Sequence, residues 1–124
     1  MATYDDLTEY RYSESDRPML NVGWLGADRE FRTGPPDAEL VRSLLQLAER
    51  QENIMRGVHH CEFCDEESPI RLKAPVERGW VSLGMGELHV RGSEGVIYAA
   101  PSLVVHYVIA HGYQPPASFR AAVL

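Results

Sequence analysis

The chain contains two cysteines, Cys61 and Cys64, and only two residues separate them. A pair at this spacing forms part of a redox motif, supplies half of a metal site or arises by chance. A redox thiol needs a lowered pKa, and the three acidic residues that follow the pair, Asp65–Glu67, disfavour a thiolate. A metal half-site would tie this segment to two ligands elsewhere in the chain and would restrict the fold strongly.

Histidines are the candidates for those two ligands, and all five lie from residue 59 onward. They are His59, His60, His89, His106 and His111. The last two are separated by four residues, which is within the spacing of Cys2His2 zinc sites. Thiolates beside imidazoles favour Zn²⁺ in a tetrahedral shell. We therefore predict a four-ligand zinc site formed by Cys61, Cys64, His106 and His111. His59 is the possible substitute for one of the two later histidines.

This ligand set makes two further predictions. On an ideal helix, the five-residue offset turns the imidazole of His111 about 140° away from that of His106. The helix is therefore expected to tighten or fray before His111, which Gly112 would allow. Four protein ligands would also close the site, and closed zinc sites are structural.

An open site would instead make a zinc hydrolase in which a glutamate activates water. The candidate bases are Glu62, Glu66 and Glu87. The sequence has no His-Glu-x-x-His helix, no glycine-rich phosphate loop and no nucleophile elbow. We therefore predict no catalytic residues and consider an enzyme the less favoured interpretation.

Periodicity predicts three helices around a loop. A leucine stripe at helical spacing predicts a helix over about 36–51, after two prolines that suit a first turn. Residues 57–69 carry both cysteines without any repeat period, which predicts a loop or knuckle. Pro101 and Gly112 bracket a second helix whose many β-branched residues predict burial on most sides. A short closing helix is predicted at 117–123.

Two hairpins are predicted as well. Alternating apolar residues predict one over 20–32, with Trp24 and Phe31 on its inner face. A glycine-bounded turn predicts another over 86–98, with His89 on its exposed face. The predicted fold class is therefore α+β, with short antiparallel hairpins packed on two main helices and a zinc-knuckle or treble-clef-like element.

Length and charge limit the possible functions. The 124 residues predict a single domain over 1–124, with an irregular acidic arm over 1–18 and a zinc-binding region over 57–112. The net charge is −6, and residues 1–67 hold 15 acidic and 7 basic side chains. Because no basic stripe is present, nucleic acid is an unfavourable partner.

The sequence also makes a prediction about location. No apolar run approaches the roughly 18 residues that span a bilayer. The first residues are acidic, whereas a secretory signal begins with basic and then apolar residues. We therefore expect a cytoplasmic protein that does not associate with a membrane.

The chain resembles a family of small uncharacterised bacterial proteins over nearly its whole length. The segments that carry the resemblance are Asn21-Val-Gly-Trp-Leu25, Gly57-x-His59-x-Cys61-Glu-Phe-Cys64, Gly86-Glu-Leu, Tyr98-Ala-Ala-Pro101, His106-Tyr-Val and His111-Gly-Tyr-x-Pro-Pro116. The family pattern has a His-x-Cys-x-Phe-Cys knuckle and spaced helix histidines, and His60 and His89 match no histidine in it. Because the family has no biochemical role attached to it, the resemblance implies a shared site and no reaction.

Three functions are compatible with these observations. The favoured one is an interaction module with a structural zinc site and an unknown protein partner. An acidic immunity or antitoxin-like protein is the second, because the negative N-terminal part would suit a basic partner. A zinc-dependent hydrolase is the third.

Overall fold

The structure is a computed structural model that describes residues 3–11, 18–54, 58–75 and 79–124. Within these ranges, short strands and three α-helices form the predicted α+β fold. The elements are β1 (Leu20–Asn21), α1 (Ala38–Ala48), β2 (Ile70–Lys73), β3 (Trp80–Leu83), β4 (Glu87–Arg91), β5 (Ile97–Pro101), α2 (Val104–His111) and α3 (Ala117–Val123). No helix in the described part of the chain is both long enough and apolar enough to cross a membrane.

The second predicted hairpin is confirmed. Strands β4 and β5 pair antiparallel, with Leu88 opposite Ala100 and Val90 opposite Tyr98. A 3₁₀ turn over Ser93–Gly95 connects them, and Glu94 adopts a left-handed conformation there with φ of 58°. The hairpin presents alternate side chains to the core, as the sequence pattern predicts.

The first predicted hairpin is wrong. Strand β1 pairs parallel with β5, with Leu20 opposite Tyr98, and the sheet order is β1-β5-β4. Trp24 is 3% exposed, whereas Phe31 is only partly buried and packs against a different cluster. The alternating apolar pattern did not indicate a hairpin here, because residues 21–26 are all buried and this segment has no solvent-facing side.

The structure adds a hairpin that the sequence analysis did not predict. Strands β2 and β3 pair antiparallel as a separate two-stranded sheet, with Leu72 opposite Val81. Only Ile70 of β2 is fully buried, which explains why the strand carries a weak hydrophobic signal. On the outer face, the guanidinium of Arg71 lies 5.6 Å from the ring centre of Trp80.

Helix α1 is shorter than predicted because polar contacts define both of its ends. The carboxylate of Asp37 accepts hydrogen bonds from the backbone N–H groups of Glu39 and Leu40 and caps the first turn. Asp37 also pairs with Arg120 of α3. After the helix ends at Ala48, the chain turns and Glu52 exchanges two 2.8 Å backbone hydrogen bonds with Glu87.

The main core lies between the helices and the two sheets. Its largest fully buried members come from all three helices, from β3 and β4 and from the segments that flank α2: Tyr107, Tyr113, Phe119, Leu44, Leu83, Leu88 and Leu103. A smaller cluster lies on the opposite face of β5 and contains Tyr10, Met19, Trp24 and Ala99. The described part of the predicted acidic arm packs there, because Tyr10 donates its backbone N–H to Met19 and Leu7 donates to Asn21.

Candidate metal centre

The loop that carries the cysteines has no helix or strand of its own. Over residues 58–69, the backbone is irregular, and the N–H of His59 donates to the carbonyl of Gly84 at 2.7 Å. The backbone N–H of Phe63 donates to Sγ of Cys61 at 3.4 Å, which folds the chain tightly between the two cysteines. Cys61 is therefore buried at 6% exposure, while Cys64 lies closer to solvent.

Helix α2 supplies the two histidines. Its first five residues are all buried, as the β-branched content predicts, and His106 is 4% exposed. Gly112 ends the helix in the left-handed conformation with φ of 68°. A Cβ atom at Gly112 would come within 2.8 Å of the carbonyl oxygen of Gly34, so this position accepts only glycine.

The way in which the helix brings its two histidines together differs from the prediction. The helix neither tightens nor frays before His111, which is its last residue. Instead, the N–H of Gly112 donates to the carbonyl of Tyr107, five residues earlier, and the N–H of Tyr113 donates to the same carbonyl. This last turn is closed by a hydrogen bond between residues five apart, so it is wider than an α-turn, in which the bonded residues are four apart. Residues five apart therefore come closer to the same face of the helix. The ring centres of His106 and His111 are consequently 5.0 Å apart.

The four predicted ligands meet at one point. One donor atom from each of Cys61, Cys64, His106 and His111 lies within 4.8 Å of every other. Sγ of Cys61 is 3.3 Å from Nε2 of His111, and Sγ of Cys64 is 3.4 Å from Nε2 of His106. In a tetrahedral zinc site, a thiolate and an imidazole nitrogen are about 3.5 Å apart. The donor set and its spacing therefore fit a single metal ion.

Burial shifts the pKa values of two of the four donors, His106 and Cys61. Burial lowers the pKa of His106, and the neighbouring His111 lowers it further. The imidazole of His106 is thus held in the neutral form that binds metals. Burial raises the pKa of the Cys61 thiol, and its neighbour Cys64 acts in the same direction. Metal binding must therefore release protons from this site.

Groups around the four donors hold them in place. The ring of Phe63 contacts three aromatic rings edge-on or tilted, with centre distances of 5.2 Å to Phe31, 5.9 Å to Tyr107 and 5.6 Å to His111. An Oε2 atom of Glu66 lies 3.7 Å from Nδ1 of His106, on the ring nitrogen that faces away from the thiol. In metal sites, a carboxylate that accepts a hydrogen bond from this ring nitrogen orients the histidine, and Glu66 lies just beyond that distance.

The other candidates from the sequence lie outside this group of four. His59 is partly buried beside Trp24, with ring centres 6.5 Å apart. His60 accepts a long hydrogen bond from the backbone of Ser68. Of the candidate bases, Glu62 accepts from the backbone N–H of Ala27 at 3.1 Å.

The prediction for His89 is wrong, because this residue belongs to a polar cluster around Glu87. The carboxylate of Glu87 is buried at 3% exposure. It accepts hydrogen bonds from the hydroxyl of Tyr10 at 2.7 Å, from Nδ2 of Asn53 at 3.0 Å and from the ring of His89 at 2.9 Å. Residues two apart on a strand lie on the same face of the sheet. The spacing of Glu87 and His89 therefore indicates, from the sequence alone, that their side chains are neighbours. Tyr10 and Asn53 carry no local signal of this kind.

The fold and the cluster define a small α+β protein with a candidate Cys2His2 metal centre. The chain belongs to the family described as a domain of unknown function, DUF7919, whose model matches residues 2–124. No curated protein and no solved structure matches the chain. Family membership therefore assigns no activity to the chain, and a function can be inferred only from the geometry of the site.

Proposed function

We propose that residues 1–124 form one cytoplasmic domain whose structural zinc ion fastens the cysteine loop to helix α2, and that the protein acts as an interaction module. The metal part of this proposal is supported by the proximity of two thiols and two imidazoles, with S–N distances of 3.3 Å and 3.4 Å. Zinc is the divalent ion that suits this mixed donor set in a tetrahedral shell.

The location of the ligands supports a structural role. Cys61 and Cys64 come from a loop without regular structure, and His106 and His111 come from one helix. A metal bound to all four would supply the attachment that a hydrogen-bonded ladder gives to a strand, which this loop does not form. Four protein ligands also fill the tetrahedral shell, so the same observation disfavours a zinc hydrolase.

Exposed apolar side chains support an interaction role. Ile54 is 65% exposed and Trp80 is 61% exposed. Both line a groove of about 280 Å³ beside the end of α1, together with Met85. Tryptophan is enriched among residues that dominate binding energy at protein interfaces. This groove is the surface that we assign to a protein partner.

The metal part is tested by elemental analysis of the purified protein and by cobalt substitution. We expect one zinc per chain, and we expect Co²⁺ to give the visible spectrum of a tetrahedral thiolate and imidazole site. Replacing Cys64 by serine should abolish both signals. Replacing His60 by alanine is the matched control, because His60 is an exposed residue of the same loop and its loss should leave both signals unchanged. A zinc-free protein that folds normally would overturn the proposal.

The interaction part is tested by comparing partner capture at low and high salt. Capture through the groove should survive high salt and should be lost in Trp80→Ala. Capture by the acidic N-terminal part, as in an immunity or antitoxin-like protein, should weaken at high salt and survive that substitution. The second result would replace the interaction module with the acidic alternative.

A further inference from the structure

The two-stranded sheet formed by β2 and β3 presents different backbone groups at its two edges. The N–H of Ala74 donates to the carbonyl of Gly79 across the end of this sheet. In an antiparallel ladder, the residues that exchange hydrogen bonds alternate along each strand. The backbone groups of Leu72 therefore point towards β3, and those of Arg71 and Lys73 point away from it.

The outer edge of β3 is occupied by other parts of the chain. Nε2 of Gln51 donates to the carbonyl of Ser82 at 2.8 Å, and the N–H of His59 donates to the carbonyl of Gly84 at 2.7 Å. Ser82 and Gly84 are two residues apart, as the alternation requires for carbonyls that point away from β2. The protein itself therefore closes this edge.

The outer edge of β2 is open. Among the described residues, the backbone N–H and carbonyl groups of Arg71 and Lys73 have no hydrogen-bond partner, and β2 pairs with β3 alone. Pro69 and Pro75 flank the strand and have no N–H, so the open edge offers two donors. An edge of this kind is a template for one further strand, and its short length limits that strand to a few residues.

The side chains at this open edge carry positive charge. Arg71 and Lys73 are both exposed and lie on the outer face of the hairpin, opposite Ser82 and Trp80. The guanidinium of Arg71 lies 5.6 Å from the ring centre of Trp80. No carboxylate in the described part of the chain forms an ion pair with either cation. The edge is thus locally basic on a protein whose net charge is −6.

We propose that the open edge of β2 binds an extended acidic segment of another protein, which adds a third strand antiparallel to β2. In this arrangement, each partner residue opposite Arg71 or Lys73 exchanges two backbone hydrogen bonds with it and places its side chain on the same face. Acidic side chains at these alternate positions meet the two cations. The proposal goes beyond the groove assigned above, because neither cation lines that groove.

The same charges disfavour a second copy of this chain as the added strand. Antiparallel pairing of β2 with its own copy would bring Arg71 and Lys73 opposite these same two cations, and like charges directly opposite each other are destabilising. Charged side chains at a sheet edge also serve to prevent such self-pairing. A purely protective edge does not bind an acidic peptide, whereas the proposed site does.

The test is a titration of the isotope-labelled protein with a blocked pentapeptide in which acidic residues alternate with valine, followed by ¹H–¹⁵N NMR. We expect saturable shifts at the amides of Arg71 and Lys73, with a dissociation constant on the order of 1 mM, because a flexible peptide must be ordered on binding. Two control peptides separate charge from strand pairing. The peptide with lysine at its acidic positions should not bind. The acidic peptide with N-methyl groups on its acidic residues should not bind either, because those residues cannot donate backbone hydrogen bonds.

A matched pair of variants sharpens the test. Lys73→Glu should weaken binding of the acidic peptide about tenfold, because it replaces an attractive charge pair with a repulsive one. Arg91→Glu makes the same change of charge at an exposed position of β4 and should bind like the wild type. The comparison of the three peptides on the wild-type protein decides the proposal even if Lys73→Glu fails to fold.

Three outcomes would overturn the proposal. Equal affinity for the acidic and the basic peptide would show that charge does not select the partner, and binding that survives N-methylation would show that no strand is added. Absence of binding by the acidic peptide would leave the two cations as protection against self-association. An acidic ligand also separates this edge from the acidic N-terminal part of the chain, which would bind a basic partner.

Discussion

The cysteine loop contacts helix α2 and the β4–β5 hairpin leads into that helix, but different forces hold these two short segments. The hairpin has a ladder of backbone hydrogen bonds and buries Leu88 and Val90 in the core. The loop over residues 58–69 has no ladder, and only Cys61 is fully buried among its residues. Its contacts with α2 are made by thiols, imidazoles and the ring of Phe63.

This difference shows how a small chain can keep an irregular segment in place. Backbone hydrogen bonding and apolar burial stabilise the hairpin, whereas in our proposal the loop depends on four side chains that a metal ion holds together. A structural zinc ion can contribute on the order of 10 kcal/mol, which is comparable with the total stability of a small domain. If different forces hold the two regions, substitutions in them should affect stability and metal binding differently.

Removing Cys61, one of the four proposed metal ligands, should have the largest effect. Cys61→Ser should eliminate zinc binding and lower the melting temperature by roughly 20 °C or more, because the loop loses its attachment and the protein loses the metal binding energy. Circular dichroism melting, with and without a chelator, measures the effect. Chelation should destabilise the wild type and leave the variant unchanged. Equal melting temperatures for wild type and variant would show that the loop is held without metal.

Truncating the hairpin core should have the next largest effect and should not involve the metal. Leu88 is 1% exposed, so Leu88→Ala should lower the free energy of unfolding by about 2–5 kcal/mol. Chemical denaturation measures this loss, and elemental analysis should still find normal zinc content. A loss of zinc in the folded variant would mean that the two regions are coupled more closely than their contacts indicate.

Removing the aromatic contact of the loop should have an intermediate effect on both properties. Phe63 is partly buried among three rings, so Phe63→Ala should cost about 1–2 kcal/mol of stability. The same change should weaken metal affinity by about tenfold, measured by competition with a chromophoric chelator, because the loop must then be ordered at a greater cost. Phe63→Leu keeps most of the apolar surface and should lie between the two. Unchanged affinity in Phe63→Ala would argue that the metal alone positions the loop.

The smallest effect should come from the cap of α1. The hydrogen bond from Arg120 lowers the pKa of Asp37, and backbone N–H groups act in the same direction. Because the pKa of Asp37 is lower in the folded than in the unfolded protein, its ionised carboxylate stabilises the fold. This stabilisation is complete above the unfolded pKa of about 3.9 and is lost as the pH falls through the lower pKa of the folded protein. The melting temperature of the wild type should therefore approach that of Asp37→Asn as the pH drops below about 4. Parallel melting curves for the two proteins down to pH 2 would contradict this prediction.

The sequence predicted the elements whose patterns are local. The leucine stripe of α1, the glycine-bounded turn of the second hairpin and the buried β-branched face of α2 all appear in the structure. The first hairpin failed because residues 21–26 are buried on both sides, so alternation carried no information about pairing. Strand β2 was missed because only Ile70 of its four residues is fully buried.

The candidate metal site likewise has one feature that the sequence predicts and one that depends on tertiary structure. Cys61, Cys64, His106 and His111 can be grouped from their types and spacing, because a metal imposes ligand chemistry that is visible in a sequence. The wide last turn that brings the two histidines together depends on Gly112 packing against the backbone of Gly34, far away in the chain.

The Glu87 cluster is a product of tertiary structure. Tyr10, Asn53 and Glu87 come from three separate segments, and no spacing rule relates them. They meet because Tyr10 packs with Trp24 in the smaller core and because the backbone of Glu52 pairs with that of Glu87. Residue types and spacing are enough to indicate a metal-binding loop, since its chemistry is local. A buried carboxylate acquires its partners only when distant segments pack together, so the cluster can be recognised only in the folded protein.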